Sequence, residues 1–553
     1  MIKRVLNGQF LNTQTENITK ASFILGAAYL LSGVLGLVRD GLLAGRFGAG
    51  SDLDVYYAAF RIPDFISMVL IMGSISAAII PIFSEYLVRS KEEAWKFFSN
   101  LLNLFLFSLI IICLILIVFT PQLISLIVPG FSAAQKETAV FLTRIMFLSP
   151  ILLGISNVIS GVLLVFKRFL VTSLSPILYN LGIIIGILFF VPKLGVKGLG
   201  WGVVLGGALH LLIQLPVLFS LGFKVNRIFN FSEPGFLKTI KLTIPRAFGL
   251  AVSQINLIAV TVIGSTLAAG SIAVFNFANN FQGLPITFIA VSFSTAAFPF
   301  LAQYYSQKNR EKLVEEFSNV FRQILFLIIP LSVLIFVLRA QIVRIILGRG
   351  KFGWFDTRLT AACLGVFALS IFAYGLSLLI SKTFYAFQNT KIPAIISSFC
   401  VFLNIGLSIL FVWLSSFENI FRIYVVDFLD LGGLKDISVV GLPLAFSLSG
   451  IVQFILLLFF LYKKIGDFKS KEIFDFFIRI FLAGLLMGIA SYITLYYISG
   501  FVNMQTFIGL FIQAGSAGFL GIIVYILFSL LIDLKDLRTI TFSIFKKFRR
   551  NGQ

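Results

Sequence analysis

Residues 101–120 read LLNLFLFSLIIICLILIVFT, an unbroken run without one charged side chain. Wound as a helix at about 1.5 Å per residue, such a run covers the roughly 30 Å hydrocarbon thickness of a bilayer. A helix in a water-soluble protein shows one apolar stripe and one polar face, and this stretch has no polar face. Comparable runs recur in both directions. Marking them against charged or Gly/Pro breaks predicts spans at 21–47, 56–86, 99–120, 139–165, 172–192, 198–222, 240–264, 272–304, 321–347, 360–386, 393–415, 438–462, 476–498 and 507–532. Composition agrees: 59% of residues are hydrophobic, 12% are charged, and the mean hydropathy is +1.02. A soluble domain is about half apolar and about a quarter charged. The expected fold class is therefore an all-α membrane protein of about fourteen transmembrane helices, because helices satisfy their own backbone in lipid.

The flanks set the orientation. Residues 1–20 are polar and the run after them has no small-residue cleavage pattern, so it reads as a first span and not as a cleaved signal. The tail, 533–553, carries Lys546, Lys547, Arg549 and Arg550 and reads as a basic cytoplasmic anchor. Connections on the side of the termini hold roughly three times as many Lys and Arg as those opposite, which predicts both termini in the cytoplasm.

Several function classes fall away. The net charge of +21 is scattered between apolar runs and not gathered in a patch, which argues against nucleic acid. Cys113, Cys363 and Cys400 lie far apart within apolar segments, with neither disulfide-framework nor metal-ligand spacing. The 64 Phe residues are read as lipid-facing packing. There is no G-x-x-x-x-G-K-[ST] phosphate loop, and the connections are too short for a nucleotide-binding or catalytic domain. No cofactor is called for; transport must draw on an ion, voltage or substrate gradient, and the coupling ion is left open.

The chain also repeats itself. Ala49-Gly50-Ser51, an aromatic stretch, Pro63 and Pro81 recur as Ala269-Gly270-Ser271, an aromatic stretch, Pro285 and Pro299. Phe98-Ser99-Asn100 answers Phe317-Ser318-Asn319, Asn180-Leu181-Gly182 answers Asn404-Ile405-Gly406, and 198–207 answers 441–450. An offset of roughly 220–240 residues covers six spans, so equivalent helices enter from the same side and the halves are parallel repeats. The expected organisation is 1–20, a first lobe at 21–223, a second at 224–463, two additional helices within 464–532, and the tail.

Charge inside a span costs about 3 kcal/mol at the bilayer centre, so retained charges face a cavity or a partner. The first span carries Arg39, Asp40 and Arg46, with Ser32, Arg39 and Arg46 on one edge; the second carries Asp54, Arg61 and Asp64. In the equivalent helices of the second half, Arg246, Ser253 and Asn256 share one stripe, and Asn276, Asn279 and Asn280 share another. Either these stripes glue helices together or they line a central cavity. Arg39 beside Asp40, and Arg61 near Asp64, have carboxylates that would make them structural pairs; Arg246 has none within a turn. His210 is the only histidine and has no carboxylate at helical spacing, which favours a helix-packing hydrogen bond over proton coupling.

Gly36-Leu37-Val38-Arg39-Asp40, Phe47-Gly48-Ala49-Gly50, Asp54 with Tyr56-Tyr57-Ala58-Ala59-Phe60, and Pro81-Ile82-Phe83-Ser84-Glu85-Tyr86 resemble the opening of the MurJ (MviN) family of lipid II flippases. The resemblance continues through Ser253-Gln254-Ile255-Asn256 and Leu267-Ala268-Ala269-Gly270-Ser271, and so covers nearly the whole chain. It implies the multidrug/oligosaccharidyl-lipid/polysaccharide exporter fold: two six-helix lobes around a cationic cavity, and two extra helices forming a groove for a lipid tail. Gly484, Gly488 and Gly518 are the positions from which that groove would be reached. The implied cargo is the lipid-linked peptidoglycan precursor, moved in the bacterial cytoplasmic membrane by a monomer that uses no nucleotide. Arg39 and Asp40 match a diphosphate-binding position of the family, and Asp54 matches an acidic one. The chain departs from the pattern at Gly33, Ser67 and Asn280, where the family has arginines, and at Met72, where it has an acid. Arg61 and Arg246 are the candidates to replace them. A flippase for another polyprenyl-diphosphate glycan and a drug or cation antiporter of the same fold are the competing functions, and genomic context separates them.

Overall fold

Inside a bilayer no water completes a broken backbone, so each apolar run must close its own hydrogen bonds, and every regular element among the described residues is helical. The structure, a computed structural model, describes residues 18–72 and 79–531, with the side chains of 18–25, 70–72 and 245–246 outside the description. We label the longer helices in chain order. The first nine are α1 (Ile18–Phe47), α2 (Ser51–Ile66), α3 (Ile80–Arg89), α4 (Lys91–Ile127), α5 (Ala133–Met146), α6 (Leu148–Val165), α7 (Phe169–Ile185), α8 (Lys197–Leu212) and α9 (Pro234–Ser265). They are followed by α10 (Ser271–Pro285), α11 (Ser292–Ser306), α12 (Arg310–Val337), α13 (Arg339–Leu347), α14 (Trp354–Ala368) and α15 (Ile371–Ala386). The last five are α16 (Lys391–Ser415), α17 (Ile420–Leu429), α18 (Gly441–Ile465), α19 (Ser470–Ser499) and α20 (Phe507–Leu531).

Among the described residues twelve helices are long and apolar enough to cross a membrane, or thirteen if α14 and α15, bent by 44°, form one broken span. The remaining expected span, 56–86, runs through residues 73–78, which lie outside the described residues. Of the expected terminal segments, 1–20 and 533–553, the first lies outside them up to residue 17, with 18–20 already in α1, and the second lies wholly outside.

The sequence repeat has a local structural echo. Pro63 in α2 precedes a π-helical turn, Ser67–Met72, and Pro285 at the end of α10 precedes another, Ile286–Val291. Proline removes a backbone donor, and a widened turn is one way the helix absorbs the defect.

The chain forms two compact units, Met1–Ala273 and Val274–Gln553. The repeat places α9 at the head of the second half, yet its packing lies in the first unit, against α2, its π turn and α4. Its approach is fixed at the start: Glu233 caps α9 through the Phe236 N–H at 2.7 Å and also accepts from the Tyr86 hydroxyl. The segment leading to α9 is held by α4, where Asn100 exchanges two hydrogen bonds with the Asn230 backbone at 2.7 and 2.9 Å. Asn103 donates to the carbonyls of Asn226 and Ile228. Beneath it lies an aromatic core in which Trp95 stacks on Phe166 and meets Phe83, Phe98 and Phe223.

Glycine sets the closest helix approach in the first unit. Gly182 and Gly186 on α7 and its continuation face Gly206 and Gly202 on α8, and a Cβ on Gly182 or Gly186 would enter the opposing backbone. This is the small-xxx-small packing expected where lipid supplies no hydrophobic force between helices. In the second unit the equivalent pair, α16 and α18, also packs together, with Gly441 against the backbone of Phe411 and Val412.

The two last helices also pack through small residues. A Cβ on Gly484 would touch Ile329 and Val333 of α12, one on Gly488 would press on Val333, and one on Gly518 would reach Leu338. Gly484 and Gly488 thus lie against α12, while Gly518 has only an ordinary contact beside it. A cavity of ≈ 550 Å³ lined by Phe321, Phe372, Phe454, Phe468, Phe474 and Phe477 lies where the start of α19 meets α12, α15 and α18.

Candidate functional site

The polar residues of α1 and α2 lie among side chains that the apolar pattern conceals. Arg39 donates from Nε and Nη2 to Asp40 Oδ1 at 3.0 and 2.8 Å, and from Nη1 to Asn180 Oδ1 on α7 at 3.1 Å. Asn180 is itself oriented, its amide nitrogen donating to the Ser32 hydroxyl at 3.2 Å and to the carbonyls of Ser32 and Pro176 at 3.3 Å. The Asp40 side chain is 3% exposed and that of Arg39 is 23% exposed. Tyr56 and Tyr57 of α2 stand near enough to interact electrostatically with Arg39, and their rings lie 5.3 Å apart.

A guanidinium has five N–H groups. Three are used here, which leaves one on each terminal nitrogen without a partner among the described residues. Arg39 is therefore held in a structural pair with Asp40 and keeps donors to spare, because the guanidinium fork directs its N–H groups separately.

The other expected residues are placed as follows. Asp54 is buried, and its carboxylate accepts the Gly270 N–H at 2.6 Å and the Ala273 N–H at 2.8 Å, capping the start of α10. Gly270 needs its positive φ of 93° there, since a Cβ would strike the Ala49 carbonyl. A carboxylate at a helix N-terminus answers the first-turn N–H groups, so a framework role accounts for Asp54. Arg61 is buried and donates from Nε to Thr261 Oγ1 on α9 at 2.7 Å, with Asp64 one turn on contributing to its electrostatic surroundings. Arg46 is exposed in the last turn of α1, where a cation suits the helix C-terminus.

The Arg246 side chain lies outside the described residues. Ser253 is exposed and spends its hydroxyl on the Leu250 carbonyl of its own helix, while Asn256 is half-buried. In the second unit, α10 carries Asn276, buried, with Asn279 and Asn280 half-buried; Asn279 accepts from Gln282 at 2.9 Å. Sequence reasoning missed Asn180, which it used only as a repeat marker, and Thr261, a neutral residue with no charge to flag it.

His210 is tied into a separate buried network. Its Nδ1 lies 2.7 Å from Ser156 Oγ, Gln214 Nε2 donates to Ser156 and Ser175, and Ser160 donates to Gln214 Oε1. These bonds join α6 and α7 to the α8 end, the helix-packing role expected of it. Among the described residues no group of His, Cys, Asp and Glu could hold a metal ion.

A family model described as lipid II flippase MurJ matches residues 43–512. The chain belongs to the MurJ family. Among MurJ proteins, the probable lipid II flippase of Buchnera aphidicola subsp. Acyrthosiphon pisum is 31% identical over 509 residues, covering 90% of this chain and 94% of that protein. That of Haemophilus influenzae is 29% identical, covering 86% and 93%. A solved structure of lipid II flippase MurJ in an inward closed conformation superposes with a TM-score of 0.73 at 27% identity, over 93% of this chain and 99% of that one. A multidrug resistance MATE family transporter of the MOP superfamily, at 15% identity and a TM-score of 0.64, shares the fold. Membership in the MurJ family makes the chain a multi-pass membrane transporter and not an enzyme.

Proposed function

We propose that the chain moves lipid II, the undecaprenyl-diphosphate-linked peptidoglycan precursor, from the cytoplasmic to the outer leaflet of the bacterial cytoplasmic membrane by alternating access. It does so as a monomer with both termini in the cytoplasm, using a gradient in place of nucleotide or bound cofactor. The observation that carries the reading is Arg39, locked by Asp40 and Asn180 with one N–H left on each terminal nitrogen. A diphosphate leaving water needs charge-assisted donors already in position, and arginine supplies two.

Arg61 is the second cationic candidate of the first unit, already bonded to Thr261. Arg46, Arg246, Ser253, Asn256, Asn276, Asn279 and Asn280 enter the reading from the sequence alone, with Asp54 reassigned to the framework. The polyprenyl tail is assigned to the Phe-lined cavity at the start of α19, whose lining is predominantly apolar. The deciding experiment is complementation of a strain depleted of its own lipid II flippase. Growth is expected; lysis despite confirmed membrane expression would redirect the assignment to another polyprenyl-diphosphate glycan.

A further inference from the structure

The connection between α16 and α18 contains one helix, α17, with an unusual distribution of side chains. Ile420, Ile423, Tyr424 and Phe428 recur at helical spacing on one face, and Ile420 and Tyr424 are 73% and 71% exposed. The other side is anchored. Asn419 caps the helix through the Arg422 N–H at 2.8 Å and donates back to the Leu414 carbonyl of α16 at 2.6 Å. Phe421 stacks flat on Phe411 of α16, with ring centroids 5.6 Å apart. Arg422 donates to the Lys435 carbonyl at 2.9 Å, and Leu429 is buried. Phe428 also meets Phe336 of α12, ring centroids 6.0 Å apart, while Ile420, Ile423 and Tyr424 stay outward, and a contiguous exposed apolar patch marks an interaction surface.

We propose that this face of α17 lies in the membrane–water interface, seated in the lipid of the leaflet that borders it. The patch continues the lipid-facing side of a spanning helix: Trp413, exposed near the end of α16, lies 5.0 Å from Phe417 ring to ring, and the chain passes from there into α17. Tryptophan and tyrosine at the ends of spans sit at headgroup level. Ten residues, about 15 Å of helix, are too few to cross a bilayer but suit a helix lying along its surface. Asp427 is exposed beside Phe428 and stands where a carboxylate reaches headgroup water. The connection is otherwise acidic, with Glu418, Asp430 and Asp436 against Arg422 and Lys435, so apolar area and not attraction to anionic lipid is the source of binding.

The native cysteines are buried, which allows a single reporter to be attached to the full chain. Tyr424→Cys carrying a bimane label, reconstituted in phosphatidylethanolamine/phosphatidylglycerol nanodiscs, is compared with labelled Lys435→Cys. Nitroxide-bearing phospholipids are expected to quench the label at 424 several-fold more than at 435, with aqueous iodide giving the reverse order. Ile420→Cys is a second reporter with the same expectation, and both exposed positions lose little packing on substitution. Iodide quenching at 424 and 420 equal to that at 435, without nitroxide quenching, overturns the proposal and leaves α17 as a water-exposed face for a protein partner. A further check places the label at Phe428→Cys with Ile420→Asp and Ile423→Asp, and nitroxide quenching should then fall while the melting temperature in detergent is unchanged.

Discussion

Asn180 of α7 accepts from Arg39 of α1 at 3.1 Å and donates to the Ser32 hydroxyl one helical stretch earlier on α1 at 3.2 Å. One neutral amide thereby sets both the contact of two helices and the attitude of a guanidinium. Replacing Asn180 with Leu keeps the bulk and removes both bonds. Binding of the lipid II headgroup should weaken on the order of 10-fold, the equivalent of one charged hydrogen bond. Unchanged binding with a lowered melting temperature would assign Asn180 to helix packing alone.

Arg39→Lys should lose complementation while the protein remains in the membrane. An ammonium has three donors on one atom and cannot hold Asp40, Asn180 and a phosphate in separate directions. Arg39→Ala is a less clean probe, because it takes the guanidinium partner from the buried Asp40, and breaking a buried pair costs about 3–5 kcal/mol. The double variant Arg39→Ala, Asp40→Ala should regain stability without regaining headgroup binding. Wild-type transport by the double variant would remove Arg39 from the mechanism.

Asp54→Ala should destabilise the protein by about 1–2 kcal/mol, since it removes the acceptor for two N–H groups at the start of α10. Thermal melting measures the loss, and headgroup affinity per folded molecule should stay at the wild-type level. A stable Asp54→Ala protein that fails to bind the headgroup would return Asp54 to the substrate.

His210→Asn should lower stability by about 1 kcal/mol through the Ser156 bond and leave the pH profile of transport unchanged. A profile that flattens in this variant would make His210 a proton carrier.

Photo-crosslinkers at Phe454 and Phe477 should label the polyprenyl tail, because both line the apolar cavity. A crosslinker at Gly488, packed against Val333, should not. The reverse pattern would move the tail to the outer faces of α19 and α20.

Much of this protein is legible in its sequence. Uncharged runs of membrane length dictate helices, since lipid offers the backbone no other partner, and the repeated Ala-Gly-Ser and paired prolines announced the duplication. The motif from Gly36 to Asp40 identified the family and marked Arg39. Sequence also singled out His210 as a packing residue, because no carboxylate stood at helical spacing from it.

What the linear chain could not reveal is which partner each polar side chain meets. Arg39 and Asp40 are adjacent, but Asn180 lies 141 residues away and carries no charge to draw attention. Asp54 accepts the backbone N–H groups of Gly270 and Ala273, more than two hundred residues on, and no local pattern points to them. The glycines of α19 were expected to reach a lipid groove, and their neighbour Val333 on α12 could not be read from their own helix. Hydropathy and periodicity are properties of one helix at a time, and they fix which segments cross the membrane. Hydrogen bonds and close packing are properties of helix pairs, so the partners of each buried charge became visible only when the helices were brought together.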